Sequence, residues 1–90
     1  MTKQEFIKWA KARSWVVDKW GHLQKQVDDK RYRFRVSKIS VRYELKMDRD
    51  FQSLEWLRLR SGYFKDLSIT PDGKLSGLRI GSRFDKKEIV

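Results

Sequence analysis

Cysteine is absent from the 90 residues. Disulfides, thiolate zinc sites and cysteine nucleophiles are therefore excluded. Nothing supports a secreted, disulfide-stapled scaffold, so a reducing, cytoplasmic setting is expected. Histidine occurs once, as His22, and one imidazole without thiolates is a poor transition-metal site; no cofactor is expected. Long apolar runs are missing too. None approaches the roughly 18 residues of a membrane span, and Lys3, Glu5, Lys8 and Lys11 interrupt any signal-peptide stretch. There is no phosphate-cradling glycine loop, nucleophile elbow or dinucleotide fingerprint. The carboxylates are dispersed, and Asp48-Arg49-Asp50 lacks the rest of a calcium loop. These absences argue against an enzyme.

What is present is positive charge and aromatic rings. The formal net charge is +10 and the aromatic content 13%. Disordered chains are poor in aromatics, so the composition predicts a folded domain, and the length allows one core. The charge is +3 over residues 1–30, +5 over 31–60 and +2 over 61–90. The middle third is the expected contact zone for a polyanion.

Thr2-Lys3-Gln4-Glu5 reads as a capping box. Phe6, Trp9 and Ala10 follow on one face, which predicts a helix over about 3–13. Trp15 to Asp18 favour an extended chain, Asp18 to Gly21 a turn, and 22–27 a second strand. With Asp28-Asp29 as a two-residue loop, Val27 faces Lys30 and Leu23 faces Phe34, leaving the apolar residues on one side.

Over 31–47 the apolar residues alternate with basic ones, at even positions before Ser37 and odd positions after it. Either a bulge absorbs the extra residue or the chain turns near 37–38. Ser-Lys is a poor turn pair, which favours the bulge. A further strand is predicted over 54–60, broken by Ser61-Gly62. Two hairpin arms follow over 65–70 and 74–80, with Ile69 opposite Leu75 around Pro71-Asp72-Gly73. The tail 82–90 is expected to fray. One helix followed by strands with short connections predicts an α+β fold: an N-terminal helix on an antiparallel sheet of five or six strands, as a meander or small open barrel.

Arg31, Arg33 and Arg35 alternate along one strand, so they project from one face at about 7 Å spacing, close to the phosphate repeat of a nucleic-acid strand. Arg42 and Lys46, with Lys38, extend this stripe. Arg58 and Arg60 share an outward phase on a later strand, with Trp56 among them. Arginine suits bidentate phosphate contact, and an aromatic ring beside it can stack on a base. Trp20, next to Gly21-His22 on a turn, is a second stacking candidate. The bland alternative is a solvated face on which Glu44 and Glu55 pair with the arginines. His22 could serve as an acid or base, though a polar surface role is the simpler reading.

The stretch Tyr32-Arg33-Phe34-Arg35-Val36-Ser37-Lys38-Ile39-Ser40-Val41-Arg42-Tyr43-Glu44-Leu45 resembles the central hairpin of RelE/ParE-type toxins. In that family a Y-R-x-R-V strand, a two-residue turn and an R-V-x-Y strand recur, and members are ribosome-dependent mRNA nucleases or gyrase inhibitors. The resemblance covers 14 of 90 residues. It implies two helices ahead of the hairpin, where this sequence offers one. The expected function is DNA or RNA binding without catalysis. The alternatives are a protein-interaction module with an acidic partner and, third, a toxin-like activity on RNA.

Overall fold

The computed structural model describes residues 1–28, 30–47 and 57–78. The predicted tail 82–90, the loop 48–50, Asp29, Trp56 and the ends of two predicted strands (54–56 and 79–80) lie outside the described residues.

The helix α1 runs Lys3–Ala12, and its capping box forms: the Glu5 amide donates to the Thr2 hydroxyl at 3.1 Å, and the Thr2 amide donates to the Glu5 carboxylate at 3.0 Å. The Thr2 amide, with the Thr2 hydroxyl beside it, holds the Glu5 carboxyl below its ordinary range. Five strands follow in the order β1 (Val16–Val17), β2 (Leu23–Val27), β3 (Lys30–Val36), β4 (Ser40–Met47) and β5 (Leu57–Tyr63), pairing as an antiparallel meander. A short 3-10 turn (Phe64–Asp66) leads to β6 (Ser68–Ile69) and β7 (Leu75–Ser76), a separate two-stranded sheet. The β2–β3 register matches the expectation, with Leu23 opposite Phe34 and Val27 opposite Lys30.

The inner sheet face supplies the core. Leu23, Phe34, Val41 and Tyr43 are fully buried, as are Phe6 and Ala10 of α1. Phe34 is the hub: Phe6 meets it edge-on at 5.0 Å between centroids, Trp15 lies at 4.3 Å and Tyr43 at 5.1 Å. Each fully buried large side chain contributes on the order of 2–3 kcal/mol. Such burial is what makes a ten-residue helix stable, since it would be marginal in isolation.

The chain turns between β3 and β4; it does not bulge. Val36 stands opposite Val41, so every β3–β4 pair joins an even to an odd position, and the switch of apolar parity is the signature of the hairpin itself. The Ser37 hydroxyl closes the turn. The Ser37 amide and hydroxyl both donate to the Ser40 carbonyl at 2.9 Å, and the Ser40 amide donates to the Ser37 hydroxyl at 3.2 Å. Nor does Gly62 end its strand, because β5 continues to Tyr63. A Cβ at Gly62 would come within 3.3 Å of Leu78 and 3.4 Å of Leu67, so glycine here lets the C-terminal segment pack close against the sheet.

The Pro71-Asp72-Gly73 turn forms with Ile69 opposite Leu75, as expected, on arms shorter than predicted. The Trp9 indole donates to the Gly73 carbonyl at 2.9 Å, fastening this hairpin to α1. No helix among the described residues is long and apolar enough to cross a membrane.

Candidate nucleic-acid interface

Period-two alternation that sends Tyr32, Phe34, Val41, Tyr43 and Leu45 inward sends the charged residues of β3 and β4 to the other face. The register then decides which charges meet. Arg31 faces Lys46, Arg33 faces Glu44, and Arg35 faces Arg42. On β2, Gln26 lies beside Arg31 and Gln24 beside Arg33; on β5, Arg58 stands opposite Glu44.

The centre of this face is an ion pair. Arg33 donates to one Glu44 oxygen from Nε at 2.9 Å and from Nη2 at 2.8 Å. Glu44 is buried, with only 4% of its side chain exposed, and Arg33 retains 15%. Arg33 is thus held in the sheet by its partner. On either side of the pair two cations face each other across the strands: Arg31 with Lys46, and Arg35 with Arg42. Neither Arg35 nor Arg42 has a carboxylate partner among the described residues. Like charges directly opposite each other destabilise a sheet.

Of the arginines expected together, Arg58 joins the outer face and Arg60 does not. Tyr43 pairs with Arg60 and Glu44 with Arg58, leaving Leu59 as the extra residue of a β-bulge. The bulge shifts the phase, so Arg60 stands opposite the inward-facing Tyr43 and Leu59 packs against the core. Trp56, the expected stacking residue, lies outside the described residues.

Trp20 is the aromatic residue the structure brings to the basic face. It sits 66% exposed in the turn before β2, with the Lys19 ammonium 4.5 Å from its ring centroid. Together with His22, Gln24, Arg33, Arg35 and Lys46, and Arg31 at one end, it lines an open groove of about 450 Å³. The sequence signal for Trp20 was its turn position, where a large ring has no neighbouring strand to cover it.

Asp18 builds this turn. Its Oδ1 accepts from the Trp20 and His22 amides, each at 2.9 Å, and its Oδ2 accepts from the Gln24 side chain at 2.8 Å. Burial raises the Asp18 pKa, but these hydrogen bonds outweigh it and hold the carboxyl below its usual range. His22 closes the end of the sheet: its Nδ1 accepts from the Val36 amide at 3.0 Å, beyond the last β2–β3 backbone pair. Burial lowers the imidazole pKa; Asp18 opposes this, and the charges of Arg33 and Arg35 push it down again. A neutral ring whose Nδ1 accepts carries its proton on Nε2, which can donate but cannot act as a base.

Among the described residues no group of three or more His, Asp or Glu side chains is arranged to hold a metal ion. No family model, curated protein or solved structure matches the chain.

Proposed function

We propose that this chain is a small nucleic-acid-binding domain without catalytic activity, gripping the phosphate backbone of DNA or RNA on the outer face of its sheet and working in the cytoplasm. The observation behind this reading is the Arg35–Arg42 pair. These two arginines stand directly opposite each other one pair from the β3–β4 turn, and like charges so placed disfavour the sheet. A phosphate between them would turn the repulsion into a bidentate clamp. Lys46 opposite Arg31 adds two further cations to the same face beyond the central ion pair. The expected contacts are Arg31, Arg35, Arg42, Lys46 and Arg58, while Arg33 positions the row through Glu44.

The test is fluorescence anisotropy with labelled oligonucleotides over a range of salt concentrations. Contact with about four phosphates predicts a slope of log K against log salt of roughly −3 to −4. Absence of binding to any oligonucleotide at low salt eliminates the proposal.

A second reading draws on a different surface. Lys3, Lys38, Ile39, Tyr63, Phe64 and Lys65 line a separate pocket of about 400 Å³, in which Ile39 and Tyr63 are exposed hydrophobics. An apolar floor with a lysine rim suits an acidic protein segment with an apolar anchor. Ile39→Glu separates the readings, because it spoils this pocket and leaves the arginine face unchanged.

A further inference from the structure

We infer that the nucleic acid this domain selects is single-stranded, with one base stacked on Trp20 and the adjoining backbone laid along β3. This rests on the nucleic-acid reading above and goes beyond it by naming the class of strand.

Three observations point the same way. First, Trp20 is 66% exposed although its own turn is tightly built, with Asp18 receiving both the Trp20 and His22 amides. The ring is therefore presented on a fixed support. A base face is available to such a ring only where the base is unpaired at a strand end or in a single strand; in a duplex the faces are stacked on their neighbours. The Lys19 ammonium lies over one face of the same ring, 4.5 Å from its centroid, so a base stacks on the opposite face or displaces it.

Second, the groove runs from Trp20 and His22 at the Arg35 end of β3 to Arg31 and Lys46 at the other. Arg35 and Arg31 are four strand residues apart, or about 13 Å. That length spans two or three nucleotides of an extended strand. Gln24 lies between them on the neighbouring strand, opposite Arg33, and its side chain is oriented by Asp18.

Third, the surface has the wrong shape for a duplex groove. Five strands at the usual interstrand distance span roughly 19 Å, whereas the major groove of B-DNA is only about 12 Å wide. Helix α1 is no substitute, since Phe6 and Ala10 commit it to the core on the opposite side of the sheet. A duplex could touch this face only by its outer phosphates and would leave Trp20 unused.

The experiment compares the full chain on one labelled 12-nucleotide single strand with the same strand annealed to its complement, at one low salt concentration. Wild type should bind the single strand at least about tenfold more tightly. Trp20→Ala should lose about tenfold on the single strand, the lower part of the range for one stacked base, and little on the duplex. Trp20→Phe should recover most of that loss. Circular dichroism checks that the variants keep the fold, as expected for an exposed turn residue. Equal or tighter duplex binding, or a Trp20→Ala variant that matches wild type on the single strand, overturns the single-strand assignment and leaves the phosphate-binding reading standing. Failure to bind either oligonucleotide overturns both.

Discussion

Arg33 and Glu44 lock together in the middle of the outer sheet face, two guanidinium nitrogens meeting one carboxylate oxygen at 2.8 and 2.9 Å. Both side chains are largely buried. Removing the carboxylate alone would leave a desolvated guanidinium, so Glu44→Ala should destabilise the fold by about 3 kcal/mol. Replacing both partners with apolar residues of similar size removes the charges together. The double variant Arg33→Met, Glu44→Leu should therefore lie within about 1 kcal/mol of wild type. Urea denaturation of the three proteins measures this. A double variant as unstable as Glu44→Ala would show that the pair matters for something other than mutual charge compensation.

Much of the frame was legible in the residues. The Thr2–Glu5 box starts the helix where it was expected, and the alternation around Leu23 and Phe34 gives the correct register. The misread places share one cause: a contact with another part of the chain that the one-dimensional pattern does not encode. Ser-Lys is a poor turn by backbone preference, but the Ser37 hydroxyl closes it against the Ser40 backbone. Leu57-Arg58-Leu59-Arg60 reads as regular alternation, yet the bulge at Leu59 separates the two arginines. A bulge is decided by pairing with β4, which alternation within β5 cannot report. Arg42 and Lys46, expected to prolong the β3 row past a bulge, instead stand across from Arg35 and Arg31 because the chain turns. The buried pairing of Arg33 needed the strand register to be seen.

Gly77 and Gly73 both have positive φ, at +96° and +85°, but they face different neighbours. A Cβ at Gly77 would lie 2.2 Å from the Asp66 carbonyl oxygen, a backbone atom that cannot step aside. A Cβ at Gly73 would meet the far end of the Arg13 side chain, which can. Gly77→Ala should destabilise by at least about 2 kcal/mol and loosen the C-terminal hairpin, and Gly73→Ala by about 1 kcal/mol from backbone strain alone. Thermal melts of the two variants give the ranking. Equal losses would mean that the approach of Gly77 to Asp66 carries no weight.

His22 makes stability depend on pH in a defined direction. Burial first, then the charges of Arg33 and Arg35 against the opposing Asp18 and Glu44, lower its pKa from the ordinary 6.5. The unfolded chain thus takes up a proton near pH 6.5 while the folded chain resists. Between that pH and the lower folded value the unfolded state holds more protons, so stability falls as pH falls through this window. Above about pH 7.5 the ring is neutral in both states and contributes no slope. The Asp18 carboxyl, also lowered, titrates at more acidic pH and does not interfere. Urea midpoints between pH 7.5 and 5 should decline in wild type. The decline should be shallower in His22→Gln, whose amide oxygen can still accept from Val36. Identical pH profiles would remove His22 as the source.

The Arg35–Arg42 repulsion allows stability and binding to be pulled in opposite directions by one substitution. Arg42→Glu replaces a like-charge cross-strand pair with an opposite-charge pair, so the folded protein should gain about 0.5–1 kcal/mol. The same change removes one phosphate contact and puts a carboxylate in its place. Oligonucleotide affinity at low salt should drop by more than about tenfold, and the salt slope should shrink by about 1. A stability gain with a binding loss is what a site kept for function produces, since such sites hold charges that the fold alone would not choose. If Arg42→Glu stabilised the protein and left oligonucleotide binding intact, the guanidinium pair would have no part in the interface. If it destabilised the protein, the two arginines would be held apart by something other than their mutual charge.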